Sequence, residues 1–160
     1  MAEQKTNVMR LLEQKKIPYK SYEYAHDDGP VDGVTVASLT GLDPACVFKT
    51  LVSRGASKKI YVFVVPVAME LDLKKAAKAV GEKSIAMVHV SEINGLTGYI
   101  RGGCSPVGMK KNYPTVIDQS AESLDTMVVS AGRIGYQVEL SPAALMKLTN
   151  GKMAEIATED

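Results

Sequence analysis

Apolar positions recur along this chain in two periods, one suited to helices and one to strands, and the switches between them lay out the elements. Val8, Leu11 and Leu12 form a stripe at helical spacing, which predicts a helix over 6–16 stopped by Pro18. The tyrosine-rich YKSYEY (19–24) alternates and reads as a strand. HDDGPVDG (26–33) is a loop by its Gly, Pro and Asp content, and a short helix over 34–40 ends near Gly41. CVFKTLVS (46–53) and IYVFVVPV (60–67) are apolar on both faces, as adjacent central strands are, and RGASKK joins them as a hairpin-type loop. Pro66 lacks an N–H and limits how far the second strand pairs.

The remaining elements follow by the same reasoning. Over 71–80, Leu73, Ala76, Ala77 and Val80 share one helical face while Lys74 and Lys78 lie on another, and Gly81 provides a C-terminal cap. IAMVHV (85–90), TVID (115–118), TMVVSA (126–131) and YQVEL (136–140) are further strands. A last helix is marked by Ser141 as N-cap, Pro142 at its first position and a Leu140–Leu145 staple. Strands and helices do not alternate steadily, so a doubly wound parallel sheet is not expected. The pattern predicts an α+β domain around a curved, mixed, mostly antiparallel sheet.

Length and composition narrow the class. The chain has 160 residues, enough for one domain with a sizeable core, and we expect a single domain over 1–160. No apolar run approaches the roughly 18 residues that cross a bilayer. The charged N-terminus has no signal-type apolar segment, so a cytoplasmic location is expected. Cys46 and Cys104 make no disulfide framework, and with His26 and His89 they show no metal-ligand spacing. A formal net charge of +1 is far from that of a protein that coats nucleic acid non-specifically. Positive charge is local instead, at Lys15–Lys16, Lys58–Lys59, Lys74–Lys75 with Lys78, and Lys110–Lys111. Solvated faces and turns account for most such clusters.

Residues 100–111, IRGGCSPVGMKK, hold the densest candidate chemistry. Gly103 and Gly108 have the spacing of a phosphate loop, but Met109 stands where the lysine is required and no Ser or Thr follows. Cys104 and Ser105 are presented in a glycine-rich turn, yet nothing ties either histidine to them as a base. Gly102 and Gly103 let backbone N–H groups approach a ligand closely, and two such donors can hold a carbonyl oxygen or an oxyanion. A tight turn with Pro106 fixing its exit explains the same residues.

Lys49 is the other anomaly. On a strand it shares a face with Val47 and Leu51, while Phe48 and Val52 face the opposite way. A lysine in such a run is seldom buried without a partner. It either snorkels to an edge or projects its ammonium into a cleft that takes an anion or a carbonyl. Lys49 and the glycine turn together would make a small pocket for a polar ester.

At FKTL (48–51), LDLKKAAKAVG (71–81) and TGYIRGGCSPVG (97–108) the chain resembles the YbaK/EbsC family of stand-alone aminoacyl-tRNA deacylases. The likeness runs from the first helix to MAEIA near the end, and it is strongest to the branch that removes cysteine from Cys-tRNA(Pro), with Cys-tRNA(Cys) as a second candidate substrate. The resemblance implies a curved, barrel-like sheet flanked by helices and no cofactor. It implies that Lys49 is the essential lysine. It implies substrate-binding roles for Phe48 and Thr50 in FKTL, for Gly102 and Gly103 in the loop against the aminoacyl group, for Tyr24 on the pocket wall, and for Ser130 in VVSAG. Gln137 stands where relatives often carry Asp, so no role is carried over to it. In the mechanism implied, the thiol of the substrate attacks its own ester while the protein orients the ester and stabilises charge.

Two other functions stay open on the sequence. One is removal of alanine from Ala-tRNA(Pro). The other is a non-catalytic module that binds tRNA or prolyl-tRNA synthetase. Near-neutral charge favours weak tRNA affinity, for which a prolyl-tRNA synthetase partner would compensate. No membrane or DNA partner is expected.

Overall fold

A computed structural model describes residues 5–24, 33–100 and 103–158. Within them the predicted mixture of helices and mostly antiparallel strands is present, in five helices and ten strands. The loop expected over 26–33 falls almost wholly outside the described residues, as does Gly102.

The first helix, α1 (Asn7–Gln14), starts where Thr6 accepts the Met9 amide at 3.2 Å. It ends before Pro18 is reached. Lys16 takes a left-handed conformation (φ 58°), and the Ile17 N–H closes on the Leu12 carbonyl at 2.9 Å. Strand β1 (Lys20–Glu23) follows, then α2 (Gly33–Thr40) and a 3-10 turn at Pro44–Cys46. The central hairpin of β2 (Phe48–Gly55) and β3 (Ile60–Pro66) forms as expected, in register from Phe48 opposite Pro66 to Arg54 opposite Ile60. Short β4 (Glu70–Leu71) leads into α3 (Leu73–Val80), capped by the Asp72 carboxylate at one end and left-handed Gly81 at the other.

The next segment departs from expectation. IAMVHV is a strand only over β5 (Ile85–Met87), and a helix unforeseen in the sequence, α4 (Val90–Thr97), follows. His89 is not a strand residue. Its Nδ1 accepts the Ser91 amide, and Glu92 Oε2 accepts the His89 amide at 3.1 Å, which is a capping box. The chain continues through β6 (Thr115–Asp118), a 3-10 turn at Gln119–Ser123, β7 (Met127–Ser130) and β8 (Tyr136–Leu140). Helix α5 (Pro142–Thr149) carries the Ser141 cap and Pro142 where the sequence puts them. Two short strands that the sequence pattern does not announce, β9 (Lys152–Ala154) and β10 (Ala157–Thr158), end the described chain.

Five strands pair in the order β5-β2-β3-β6-β9, antiparallel across the first two junctions and parallel across the last two. A second sheet has the order β1-β8-β7, and β10 pairs with β4. Among the described residues the pairing falls into these three sheets and does not close on itself. A parallel bridge between Val47 and Val128 brings the two larger sheets together.

Alternation along β3 divides the interior. Val62 and Val64 enter a core with Val8, Leu12, Phe48, Val138 and Leu145; Phe63 and Val65 enter another with Ala76, Val116 and Ile156. Each large apolar side chain among these contributes roughly 1.5–3 kcal/mol by leaving water. A third cluster of Ala37, Val47, Val67 and Val128 seats α2 over the bridge. Asp118 ties down the C-terminal segment: its Oδ1 accepts the amides of Ile156 and Ala157 at 3.1 and 3.0 Å, and its Oδ2 accepts that of Ser120.

Candidate functional site

The bridge between Val47 and Val128 sets the site. The strands run parallel there, so two residues further on each stand Lys49 and Ser130. Alternation keeps both on the face of the bridged pair. The side chain of Lys49 is 26% exposed, and its ammonium lies 3.6 Å from Glu70 Oε2 on β4, whose own side chain is 66% exposed. Neither alternative drawn from the sequence describes it alone: the side chain is three-quarters covered, and its charge meets a surface carboxylate.

Ser130 continues into the β7–β8 turn, where its Oγ accepts the Gly132 amide at 3.2 Å. Across the strands, Ser130 pairs with Gln137, and Gln137 pairs with Tyr22. These three make one rung. Gln137 is 6% exposed and its Oε1 has no hydrogen-bond partner. Two rungs along, on the same face, Glu139 accepts from the hydroxyls of Thr126 and Tyr22, which hold its carboxyl below the usual range. Tyr24 enters at the same end of the sheet, its N–H donating to the Gly135 carbonyl at 2.9 Å.

The loop after α4 reaches this end as well. A Cβ built on Gly103 would lie 3.0 Å from the Ile134 nitrogen and 3.2 Å from the Arg133 carbonyl carbon. Glycine is therefore needed at 103 for a close approach to the β7–β8 turn. Its own N–H donates to the Ile100 carbonyl at 3.0 Å, so that donor serves the turn. The glycine loop, the β7–β8 turn, Tyr24, Ser130 and Lys49 thus gather around one end of the β1-β8-β7 sheet.

Phe48 and Thr50 are placed otherwise. Phe48 is 2% exposed within the main core, opposite Pro66, and alternation turns it away from Lys49. Thr50 lies on that same reverse face, and its hydroxyl is buried without a partner. Cys104 is buried with Val52 and Val88, and burial pushes its thiol up to about 11. Ser105 is fully buried, its Oγ accepting the Val107 amide. Both side chains support the loop. His26 lies outside the described residues. Among the described residues, no three His, Cys, Asp or Glu side chains are grouped to hold a metal ion.

Gln137 joins the site although the sequence gives it no role. Its position is visible there as a departure from relatives; its burial and its unpaired acceptor are not, because they follow from the rung it shares with Ser130 and Tyr22.

Comparison with known proteins gives the family. Residues 32–148 match the aminoacyl-tRNA editing domain. The chain is 48% identical over 158 residues, covering 99% of itself and 96% of the relative, to an Enterococcus faecalis protein named "Putative Cys-tRNA(Pro)/Cys-tRNA(Cys) deacylase EbsC". A solved structure described as that of "a putative trans-editing enzyme for prolyl tRNA synthetase" superposes with a TM-score of 0.81 at 25% identity, covering 94% of each chain. Another, of a protein called hypothetical, has a TM-score of 0.83 at 23% identity, covers 94% of this chain and 99% of its own, and shares the fold. The chain therefore belongs to the aminoacyl-tRNA editing domain family, the YbaK/EbsC family that its motifs resemble.

Proposed function

We propose that this protein removes cysteine from Cys-tRNA(Pro), and also from Cys-tRNA(Cys), with Lys49 as the essential charged group. The observation that carries the reading is the placement of Lys49. Its ammonium-bearing side chain, one quarter exposed, stands level with Ser130 at the sheet end where the loop from Gly103 and the β7–β8 turn converge. The 48% identical relative bears that activity in its name, and the share of both chains covered brings every part of this site within the comparison.

The chemistry asks little of the protein. The ester carbonyl is attacked by the thiol sulfur of the cysteinyl group itself. A sulfur–carbon bond forms, the carbon–oxygen bond to the ribose breaks, and the thiol proton ends on the ribose oxygen of the freed tRNA. Water then opens the resulting four-membered thiolactone to cysteine. Negative charge grows on the carbonyl oxygen and then on the leaving oxygen, and an ammonium held against the site stabilises it. Ser130 and Tyr24 orient the ester, Gly103 holds the loop against the turn, and Thr50 supports the strand that carries Lys49. Because the nucleophile comes with the substrate, the buried Cys104 and Ser105 are not needed as nucleophiles. Prolyl-tRNA synthetase is the proposed partner, supported by the structural neighbour whose description names that synthetase. Editing is needed because a synthetase pocket separates small side chains by only about 1–3 kcal/mol per methylene.

The test is loss of the aminoacyl bond from charged tRNAs. Cys-tRNA(Pro) should be cleaved far faster than Ala-tRNA(Pro) and Pro-tRNA(Pro). Faster cleavage of Ala-tRNA(Pro) would reassign the substrate. Protection of every ester from hydrolysis would make the protein a binding module.

A further inference from the structure

A cavity of about 240 Å³ opens behind the glycine loop, between the C-terminal ends of α1 and α5 and the segment 106–115. Its wall includes Lys15 and Lys111, with Asn112, Tyr113 and Thr115 as further polar groups, and among the described residues no Asp or Glu lines it. The fold thus joins two lysine clusters that lie far apart in sequence. Lys16 and Lys110 adjoin them, and all four lysines are exposed. None of the four has an ion-pair partner among the described residues. Two helix ends contribute about half a negative charge each, against two full positive charges in the wall and two beside it, so the surface stays positive.

One loop and one helix connect the cavity to the site. Pro106 to Met109 belong to the loop that begins at Gly103. Helix α1 spans the interval: Val8 packs 3.2 Å from where a Gly132 Cβ would be, and Lys15 stands at the cavity. Seven residues at 1.5 Å each put the two roughly 10 Å apart, about three nucleotides at ~3.4 Å of strand rise each. We propose that the Lys15/Lys111 cavity is a second contact for the RNA substrate, taking backbone phosphates a few nucleotides from the esterified end. This rests on the aminoacyl-tRNA reading of the site. It also resolves how a chain of net charge +1 holds a polyanion: the charge that matters is gathered beside the site.

The experiment compares wild type with Lys15→Ala/Lys111→Ala, with the conservative Lys15→Arg/Lys111→Arg, and with Lys58→Ala/Lys59→Ala at the far end of the β2–β3 hairpin as control. Three readouts are taken: binding of uncharged tRNA against salt, kcat and KM on Cys-tRNA(Pro), and cleavage of the cysteinyl ester of adenosine. The double alanine variant should weaken tRNA binding on the order of tenfold at ~0.1 M salt and flatten the salt slope by about one per lysine lost. KM for the charged tRNA should rise by the same factor. Cleavage of the adenosine ester should stay at wild-type rate, and the arginine pair should restore binding. Unchanged tRNA binding and salt slope would overturn the proposal, as would an equal loss on the tRNA and adenosine esters. If wild type cleaves neither ester but binds tRNA through these lysines, the catalytic reading fails and the RNA contact stands.

Discussion

The ammonium of Lys49 on β2 lies 3.6 Å from the carboxylate of Glu70 on β4. With Glu70 two-thirds exposed, a pair of this kind contributes no more than about 1 kcal/mol to stability. It is weak enough for a substrate carbonyl to displace. Glu70→Gln should therefore shift the thermal midpoint by only a few degrees and keep kcat, with KM equal to or below that of wild type. A loss of deacylation comparable to that of a Lys49 variant would instead make the carboxylate part of the reaction.

Gln137 offers a contrast between stability and function. Its buried Oε1 lacks a partner on the rung shared with Ser130 and Tyr22. A buried acceptor left unpaired costs on the order of 1–3 kcal/mol, so an apolar side chain of similar shape should fold as well or better. Gln137→Met is expected to raise or preserve the unfolding midpoint in urea while raising KM for the charged tRNA. A stability loss of about 2 kcal/mol or more would show that the acceptor serves the fold.

Gly103 is required for space. Its φ is not in the left-handed region, and the obstacle to a side chain is backbone at 3.0–3.3 Å from Arg133 and Ile134, which cannot swing aside. Gly103→Ala should push the loop off the β7–β8 turn, cost about 1–3 kcal/mol of stability and depress kcat. Amide exchange at residues 132–136, followed by mass spectrometry, should quicken in the same variant.

Alkaline pH should destabilise the protein through one buried group, Cys104, and one half-buried group, Tyr99. Burial raises the Cys104 thiol to about 11 and the Tyr99 phenol to about 12. Tyr99 also donates to the Val107 carbonyl at 2.5 Å, a bond its ionised form cannot make. Both groups have folded-state values above those of the unfolded chain, so the folded state binds more protons between the two values. The stability they confer is fully present below about pH 9 and is lost as pH rises toward 11 for the thiol and from about 10 to 12 for the phenol. Thermal midpoints from pH 8 to 11 should fall accordingly, and Cys104→Ala should flatten the first part of the fall while retaining deacylation. Undiminished stability at pH 11 would contradict the raised values of both groups.

What could be read in the sequence depended on the range of the forces involved. Thr6, Asp72, Gly81 and Ser141 cap helices through bonds within a few residues, and the Ser141–Pro142 start of α5 was legible for that reason. The paired apolar runs of β2 and β3 were legible because both faces are buried. Helix α4 was not: His89 between two valines looks like strand alternation, and only the Ser91 and Glu92 contacts turn it into a cap. Strands β9 and β10 depend on β6 and β4, remote in sequence, and on the Asp118 carboxylate that receives their connecting amides. Lys49 and the Gly102-Gly103 pair stand out in the sequence as residue types in unusual company. That Phe48 is core, and that Gln137 shares a rung with Ser130, required the register.

If Lys49 supplies the charge that stabilises the reacting ester, its variants should differ in deacylation and not in folding. Cys-tRNA(Pro) is incubated with wild type, Lys49→Ala and Lys49→Arg, each confirmed folded by its thermal midpoint, and the ester remaining is counted over time. Wild type should clear the ester. Lys49→Ala should lower kcat/KM by about a hundredfold or more, the scale of losing one charge-stabilising donor. Lys49→Arg should recover only part of that loss, since a planar guanidinium does not place its charge as a compact ammonium does. A folded Lys49→Ala protein that clears the ester at the wild-type rate would contradict the account.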